Sequence, residues 1–327
     1  MTSKHGSKLV VVAALCGNLA IAITKFIAAG ITGSSAMISE GVHSTVDTTN
    51  QLLLLYGMKR AAEPASTTHP FGHGRELYFW SFIVALLVFA LGAGISFYEG
   101  IVHIRRPEPA THLGWNYGVL GVSMVFEGVT WVIALREFRR SKGAMGYFEA
   151  FRKSKDPTTF TVLIEDSAAL LGLLFAFAGI AAASYFDLPM LDGVASLGIG
   201  ALLTVAAVML AKETKALLIG ESADRDLSAG VLRIAESDSA VRRANGVLTV
   251  QMGPREVVAA LSIEFEDSHY TPEVEAAIVR IERETRRQWP EVIALFVQPR
   301  TGDAWPPGAR RGAAATDRTA GDELAGG

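Results

Sequence analysis

Hydrophobic positions divide the chain in two. Between about Lys8 and Lys212, apolar runs of roughly 20 residues, the length that crosses a hydrocarbon core, alternate with short polar stretches. Six such runs stand at about 8–29, 34–57, 77–101, 115–135, 160–184 and 190–211. From Glu213 the pattern shortens and becomes mixed. Asp224 to Ser237 has a helical pattern, and Val247 to Gly253 and Glu256 to Glu266 read as two strands joined by a Gly-Pro turn. Thr271 reads as an N-cap, followed by Pro272 and by acidic Glu273 and Glu275 where the helix dipole favours them. That helix runs to about Trp289, and Val292 to Pro299 contains a third strand. The order αββαβ predicts a small open sheet covered by two helices. The pattern thus predicts an α-helical membrane protein, with six transmembrane helices in residues 1–212 and a C-terminal α+β domain in residues 213–300. Residues 301–327, rich in Gly, Ala, Pro and charge, predict a disordered tail.

Basic residues orient the spans. Arg136, Arg139, Arg140, Lys142, Arg152, Lys153 and Lys155 follow the fourth span. Lys59, Arg60 and Arg75 follow the second, and Lys4 and Lys8 precede the first. The opposite loops hold only Arg105 and Arg106. This asymmetry places both termini in the cytoplasm. The N-terminus has the basic start and apolar run of a signal peptide but no convincing small-residue cleavage site, so it reads as a retained first helix. Near the far end of that helix, Lys25 is placed to snorkel to the interface. Tyr78, Phe79 and Trp80 form an aromatic cluster expected at an interface.

Composition narrows the function classes. Half of the residues are hydrophobic and the net charge is −3, which gives no basic signature for nucleic acid. The single cysteine, Cys16, excludes an internal disulfide or a CxxC metal pair. It lies in an apolar run and reads as a small core residue.

The chemistry concentrates in the second span, SSAMISEGVHSTVDTTNQLLLLYG. Glu40, His43 and Asp47 share one helical face, Gln51 extends it and Asn50 lies at its edge. Charged groups at bilayer depth are costly and persist where they line a pathway, pair with one another or hold an ion. His43 and Asp47, four apart, can both reach one metal ion; the competing reading is hydrogen bonding across a helix interface. Asn18, His43, Asp47, Glu127 and Asp166 all fall several residues from either end of their spans, which points to one shared site or relay. Glu127 is either a proton relay or an interhelical hydrogen-bond partner. Asp192, at the start of the sixth span, reads as an N-cap. No HExxH occurs, which argues against a zinc hydrolase.

Several pieces in order carry a resemblance: GSSAMISEGVHSTVDTTNQ in the second span, HPFGHGRE before the third, DGVASLGIGALL opening the sixth, and IGESADRD leading into the C-terminal domain. With these the chain resembles the cation diffusion facilitator family of divalent-metal transporters nearly throughout, to about Pro299. YFWSFIVALLVFALGAGISFYEG and FEGVTWVIALREF look most like its zinc transporter 9 branch. The resemblance implies a homodimer in the cell membrane, embedded in lipid, with a ferredoxin-like cytosolic domain. It also implies export of a metal ion in exchange for protons, with no enzyme activity and no permanently bound cofactor.

In such proteins a His-or-Asp and an Asp four apart on each of spans two and five form the transport site. Here His43 and Asp47 supply the first pair. Asp166 matches one half of the second, but Val162 stands where its partner belongs. Glu165, about 100° around the helix from Asp166, a water or Glu127 is left as the fourth ligand, with Glu165 expected at the rim of the site. Glu40, Glu127 and Asn18 are candidates to relay protons or to hold the metal-contacting side chains in place. His69 and His73 form either an accessory metal site or a structural turn, since Ser66 and Thr67 stand where carboxylates would help. Ser262, Phe296 and Gln298 replace ligands in the C-terminal domain, whose histidine, His269, lies in a loop. A metal-free dimerisation domain is therefore expected.

One His with carboxylates suits Zn²⁺, and also Mn²⁺, Fe²⁺ or Co²⁺. Metal needs the neutral imidazole, so metal and proton compete at His43. The expected function is proton-coupled export of a divalent cation, with Zn²⁺ as cargo. The alternatives are export of manganese, iron or cobalt, or a transport-inactive membrane scaffold.

Overall fold

The computed structural model describes residues 3–32, 35–107 and 113–302. It divides into two compact units, Met1–Ala62 with Arg75–Leu218, and Glu63–Gly74 with Ile219–Gly327.

The first unit is a bundle of long helices. α1 spans Ser3–Thr32, α2 Ser35–Ala61, α5 Leu113–Lys142, α7 Pro157–Phe186 and α8 Met190–Ile219. The third membrane segment is α3 (Arg75–Leu87), a π-helical turn (Val88–Ala93) and α4 (Gly94–Arg105) run together. Among the described residues, five segments are long and apolar enough to cross a membrane: Gly6–Ile31, Arg75–Arg105, Gly114–Lys142, Pro157–Phe186 and Met190–Ile219. α2, with 27 residues, matches them in length and is the polar member. The chain is a multi-pass membrane protein. α6 (Tyr147–Lys153) is a short helix within the basic connection after α5.

Local chemistry sets several boundaries. Asp156 caps α7 by accepting from the Thr158 backbone N–H at 3.0 Å, with Pro157 in the first turn. The Ser7 hydroxyl donates to Asp156 Oδ2 at 2.6 Å and ties α1 to that cap. α8 continues to Ile219, past the expected boundary at 212.

Apolar packing centres on Val10, Val11, Ala14, Leu54, Val84, Val88, Ala134, Val162 and Ala207, drawn from α1, α2, α3, α5, α7, α8 and the π-helical turn. Small residues allow close crossings. A Cβ on Gly193 of α8 would stand 2.8 Å from the Gly100 carbonyl of α4, and one on Gly100 2.9 Å from the Gly193 carbonyl.

Three expectations fail here. Tyr78 is not an interfacial anchor: it is fully buried and its hydroxyl donates to the Lys155 carbonyl at 3.1 Å. Cys16 is exposed on the outer face of α1, where an apolar surface suits lipid as well as a core does. Lys25 is only 7% exposed and points inward, its Nζ donating to Ser44 Oγ at 2.9 Å.

The second unit contains α9 (Arg225–Glu236), β1 (Val241–Gly253), β2 (Glu256–Phe265), α10 (Thr271–Gln288) and β3 (Val292–Pro299). β1 and β2 pair antiparallel across the tight Pro254–Arg255 turn, and β3 returns parallel to β2 after α10, giving the order β1-β2-β3. Leu227, Val231 and Ile234 of α9 pack with Ile281 of α10 and with Val257, Leu261, Ile263 and Val292 of the sheet. α10 begins one residue earlier than expected: Tyr270 occupies the cap position, and Glu273 accepts from its backbone N–H at 2.9 Å. The tail expected at 301–327 lies, from residue 303 on, outside the described residues.

Candidate metal centre

α2 brings His43 and Asp47 to one side, with His43 Nε2 3.9 Å from Asp47 Oδ2. Both are half-buried. One turn further along α2, Asn50 and Gln51 are fully enclosed. The Gln51 amide donates to Glu165 Oε2 of α7 at 3.0 Å. Glu165 is therefore turned toward α2. Asp166 is 2% exposed and has Thr130 of α5 within hydrogen-bonding reach. The Thr130 hydroxyl also donates to the Glu127 carbonyl at 3.0 Å. Asp47, Glu127, Glu165 and Asp166 lie within electrostatic reach of one another across α2, α5 and α7.

Packing explains why these three helices supply the cluster. A Cβ on Gly17 of α1 would stand 2.7 Å from Thr130 Cγ2, so α1 presses on α5 beside the site. Asn18 follows on α1 and is buried. Trp131 of α5 donates its indole N–H to Ser167 Oγ of α7 at 2.9 Å, fixing the α5–α7 register next to Asp166. Val162 is fully buried in the apolar cluster with Val10, Val11 and Leu54.

The donor set is oxygen-rich, with one imidazole. Asn50 Oδ1, Gln51 Oε1, Glu165 Oε1 and Asp166 Oδ2 are buried with no hydrogen-bond partner. Unsatisfied acceptors at such depth are costly, and a divalent cation is the kind of species that satisfies them. Among the described residues no three His, Cys, Asp or Glu side chains stand ready-made around one point. The arrangement is a cluster of carboxylates on neighbouring helices, not a closed cage.

His69 and His73 lie in the second unit, away from this cluster in sequence and in compact unit. Their rings lie tilted at 39° to each other with centroids 4.3 Å apart. Hydroxyls shape the turn: Ser66 Oγ accepts from the His69 backbone N–H at 3.1 Å, and Thr68 Oγ1 meets His69 Nδ1 at 3.1 Å. The Glu40 side chain lies outside the described residues.

Asp192 departs from the N-cap expectation. It sits inside the first turn of α8, and its Oδ2 meets His103 Nδ1 of α4 at 3.2 Å, beside the Gly100–Gly193 crossing. Sequence reasoning missed His103, Ser44 and Thr130. His103 is marked only by its place at a span end, and its partner is 89 positions away.

A bundle of long apolar helices that keeps Asp47, Glu127, Glu165 and Asp166 within electrostatic reach of one another is a membrane protein with ionisable groups between its helices, a feature that marks ion and proton pathways. The family model for the cation efflux transmembrane domain matches residues 11–219, and the chain belongs to that family, one of transporters. Among its relatives, the proton-coupled zinc antiporter SLC30A9, mitochondrial, of Xenopus laevis is 37% identical over 264 residues, 80% of this chain and 47% of that protein. The human protein of the same name is 33% identical over 263 residues, covering 80% and 46%. The cation-efflux pump FieF of Yersinia enterocolitica is 26% identical over 282 residues, covering 85% and 88%. The chain spans about half the length of the zinc antiporters it matches.

Proposed function

We propose that the chain is a proton-coupled exporter of a divalent metal cation, with zinc as the favoured cargo. The observation that carries this reading is the electrostatic proximity of Asp47, paired on α2 with His43, to the acidic residues of α7 and α5. In this reading His43, Asp47 and Asp166 contact the ion, Glu165 completes the site from its bond to Gln51, and Glu127 stands beside it as relay. His43 must be neutral to ligate, so an arriving proton weakens the metal's hold and an arriving metal expels a proton. Alternating exposure of that competition to the two sides couples the flows. The names of the zinc antiporters to which the chain is similar support both zinc and the proton. The same ligands accept manganese, iron or cobalt.

We place both termini in the cytoplasm from the basic loops, and the protein in the cell membrane as a homodimer joined through the C-terminal domain without a metal cluster. Light scattering in detergent checks the last point. A dimer that dissociates on adding chelator contradicts it.

Reconstitution tests the transport reading. Proteoliposomes holding the wild-type chain and an entrapped zinc indicator should show zinc flux that responds to an imposed pH gradient. His43→Ala and Asp47→Ala should each abolish it while the protein remains monodisperse. Normal flux in either variant removes that residue from the site, and absence of wild-type flux for zinc, manganese, iron and cobalt turns the reading to a membrane scaffold.

A further inference from the structure

Lys25 lies on α1 among residues whose outward neighbours are exposed: Ile23 is 51%, Phe26 42% and Ile27 58% exposed, against 7% for Lys25. Its stem is long enough to carry an ammonium toward an interface. Instead Nζ is held inside by a 2.9 Å bond to Ser44 Oγ, itself buried. Packing enforces this. A Cβ on Gly41 of α2 would stand 2.9 Å from the Phe26 ring, so the glycine lets α1 settle against α2 at the level of Lys25.

Taking an ammonium out of water is expensive, and a neutral hydroxyl does not offset the loss; nearby anions do. Such anions lie close to Lys25. Ser44 follows His43 directly and precedes Asp47 by one turn of α2. Glu127 of α5 lies within electrostatic reach of Lys25. Among the described residues, Lys25 thus stands near a cluster of four carboxylates, Asp47, Glu127, Glu165 and Asp166.

We propose that Lys25 is a built-in countercharge of the transport site: a fixed positive charge that weakens divalent-cation binding enough for the ion to be released. The inference rests on the transport reading above. Four carboxylates and an imidazole unopposed would hold a divalent ion tightly, and a carrier that binds too tightly releases slowly. A resident cation repels the cargo at every stage of the cycle without leaving. Lys25 is a tuning residue and makes no contact with the metal.

The test is zinc binding by calorimetry to the purified full-length protein in nanodiscs, paired with zinc flux in proteoliposomes. Lys25→Gln keeps a donor for Ser44 and removes the charge. It should bind zinc at least about tenfold more tightly, the direction set by deleting a like charge near the ion in a medium of reduced dielectric, and its flux at saturating zinc should fall. Lys25→Arg keeps the charge and should restore affinity to within a few-fold of wild type. Ser44→Ala removes the hydrogen bond, keeps the charge and should shift affinity far less than Lys25→Gln. Where Lys25→Gln does not fold, Lys25→Met, which preserves the aliphatic stem, takes its place. Unchanged or weaker zinc binding in the neutral variant overturns the proposal, as does an equal effect from Ser44→Ala. Absence of zinc binding by the wild-type protein instead overturns the transport reading, and this inference with it.

Discussion

Gln51 and Glu165, 114 positions apart, meet inside the bundle, where the Gln51 amide on α2 donates to Glu165 Oε2 on α7 at 3.0 Å. The bond ties the helix carrying His43 and Asp47 to the one carrying Asp166. Gln51→Leu leaves the Glu165 carboxylate without that donor. The loss of a residue that orients a ligand lowers metal affinity about 10–100-fold. Zinc titration of the variant, with folding followed by gel filtration, checks this; unchanged affinity detaches Gln51 from the site.

Asp166 and Glu165 are not interchangeable. They are adjacent on α7 and point about 100° apart, Glu165 to Gln51 and Asp166 toward Thr130 and Glu127. Asp166→Asn is expected to abolish zinc binding. Glu165→Gln retains measurable pH-driven flux at reduced affinity. The reverse ranking moves the principal ligand to Glu165.

Val162 occupies the position where the family pattern expects a ligand, but it is fully buried among apolar side chains. Val162→Asp places a charge there with no partner, a cost on the order of 3–5 kcal/mol. The melting temperature in detergent should fall without any gain in zinc affinity. A stable variant that binds zinc more tightly shows that this face of α7 turns into the site.

The Gly100–Gly193 crossing leaves no room for a methyl group, since a Cβ on Gly193 would stand 2.9 Å from the Ile104 backbone nitrogen as well as 2.8 Å from the Gly100 carbonyl. Gly193→Ala forces α4 and α8 apart and is expected to cost roughly 1–3 kcal/mol. It should also loosen the His103–Asp192 pair beside it. Thermal unfolding measures the first effect, and increased accessibility of His103 to diethyl pyrocarbonate reports the second.

In the C-terminal domain Arg280 grips Asp238 with two bonds of 2.8 Å. This hydrogen bonding holds the Asp238 carboxyl below the usual aspartate range. A depressed folded pKa gives stabilisation that is complete above the unfolded value of about 3.9 and is lost as pH falls through the folded value. Stability of this domain should therefore decline on acidification below about pH 4. Asp238→Asn should flatten that decline. Trp289 fluorescence during acid titration reads the transition, and an identical acid profile in the variant excludes Asp238 as its source.

The sequence by itself determined what is local. The apolar runs set where the long helices lie because span length is a property of the run, and the αββαβ pattern set the C-terminal fold because hairpin and helix signals lie within a few residues of each other. The His43–Asp47 pair was legible because both residues sit on one helix at a spacing that alone puts them on one face. Tertiary structure decided everything that depends on how each helix is rotated against its neighbours. Glu165 proves to face Gln51 on another helix, and Lys25, expected at the interface, is buried on Ser44. Asp192 reads as a cap and meets His103, and Tyr78 reads as an anchor and is enclosed. Each of these is settled by a partner elsewhere in the chain, 19 to 114 positions away. Periodicity within one helix fixes which residues share a face, but the direction of that face is set by packing of small residues such as Gly17, Gly41, Gly100 and Gly193 against other helices.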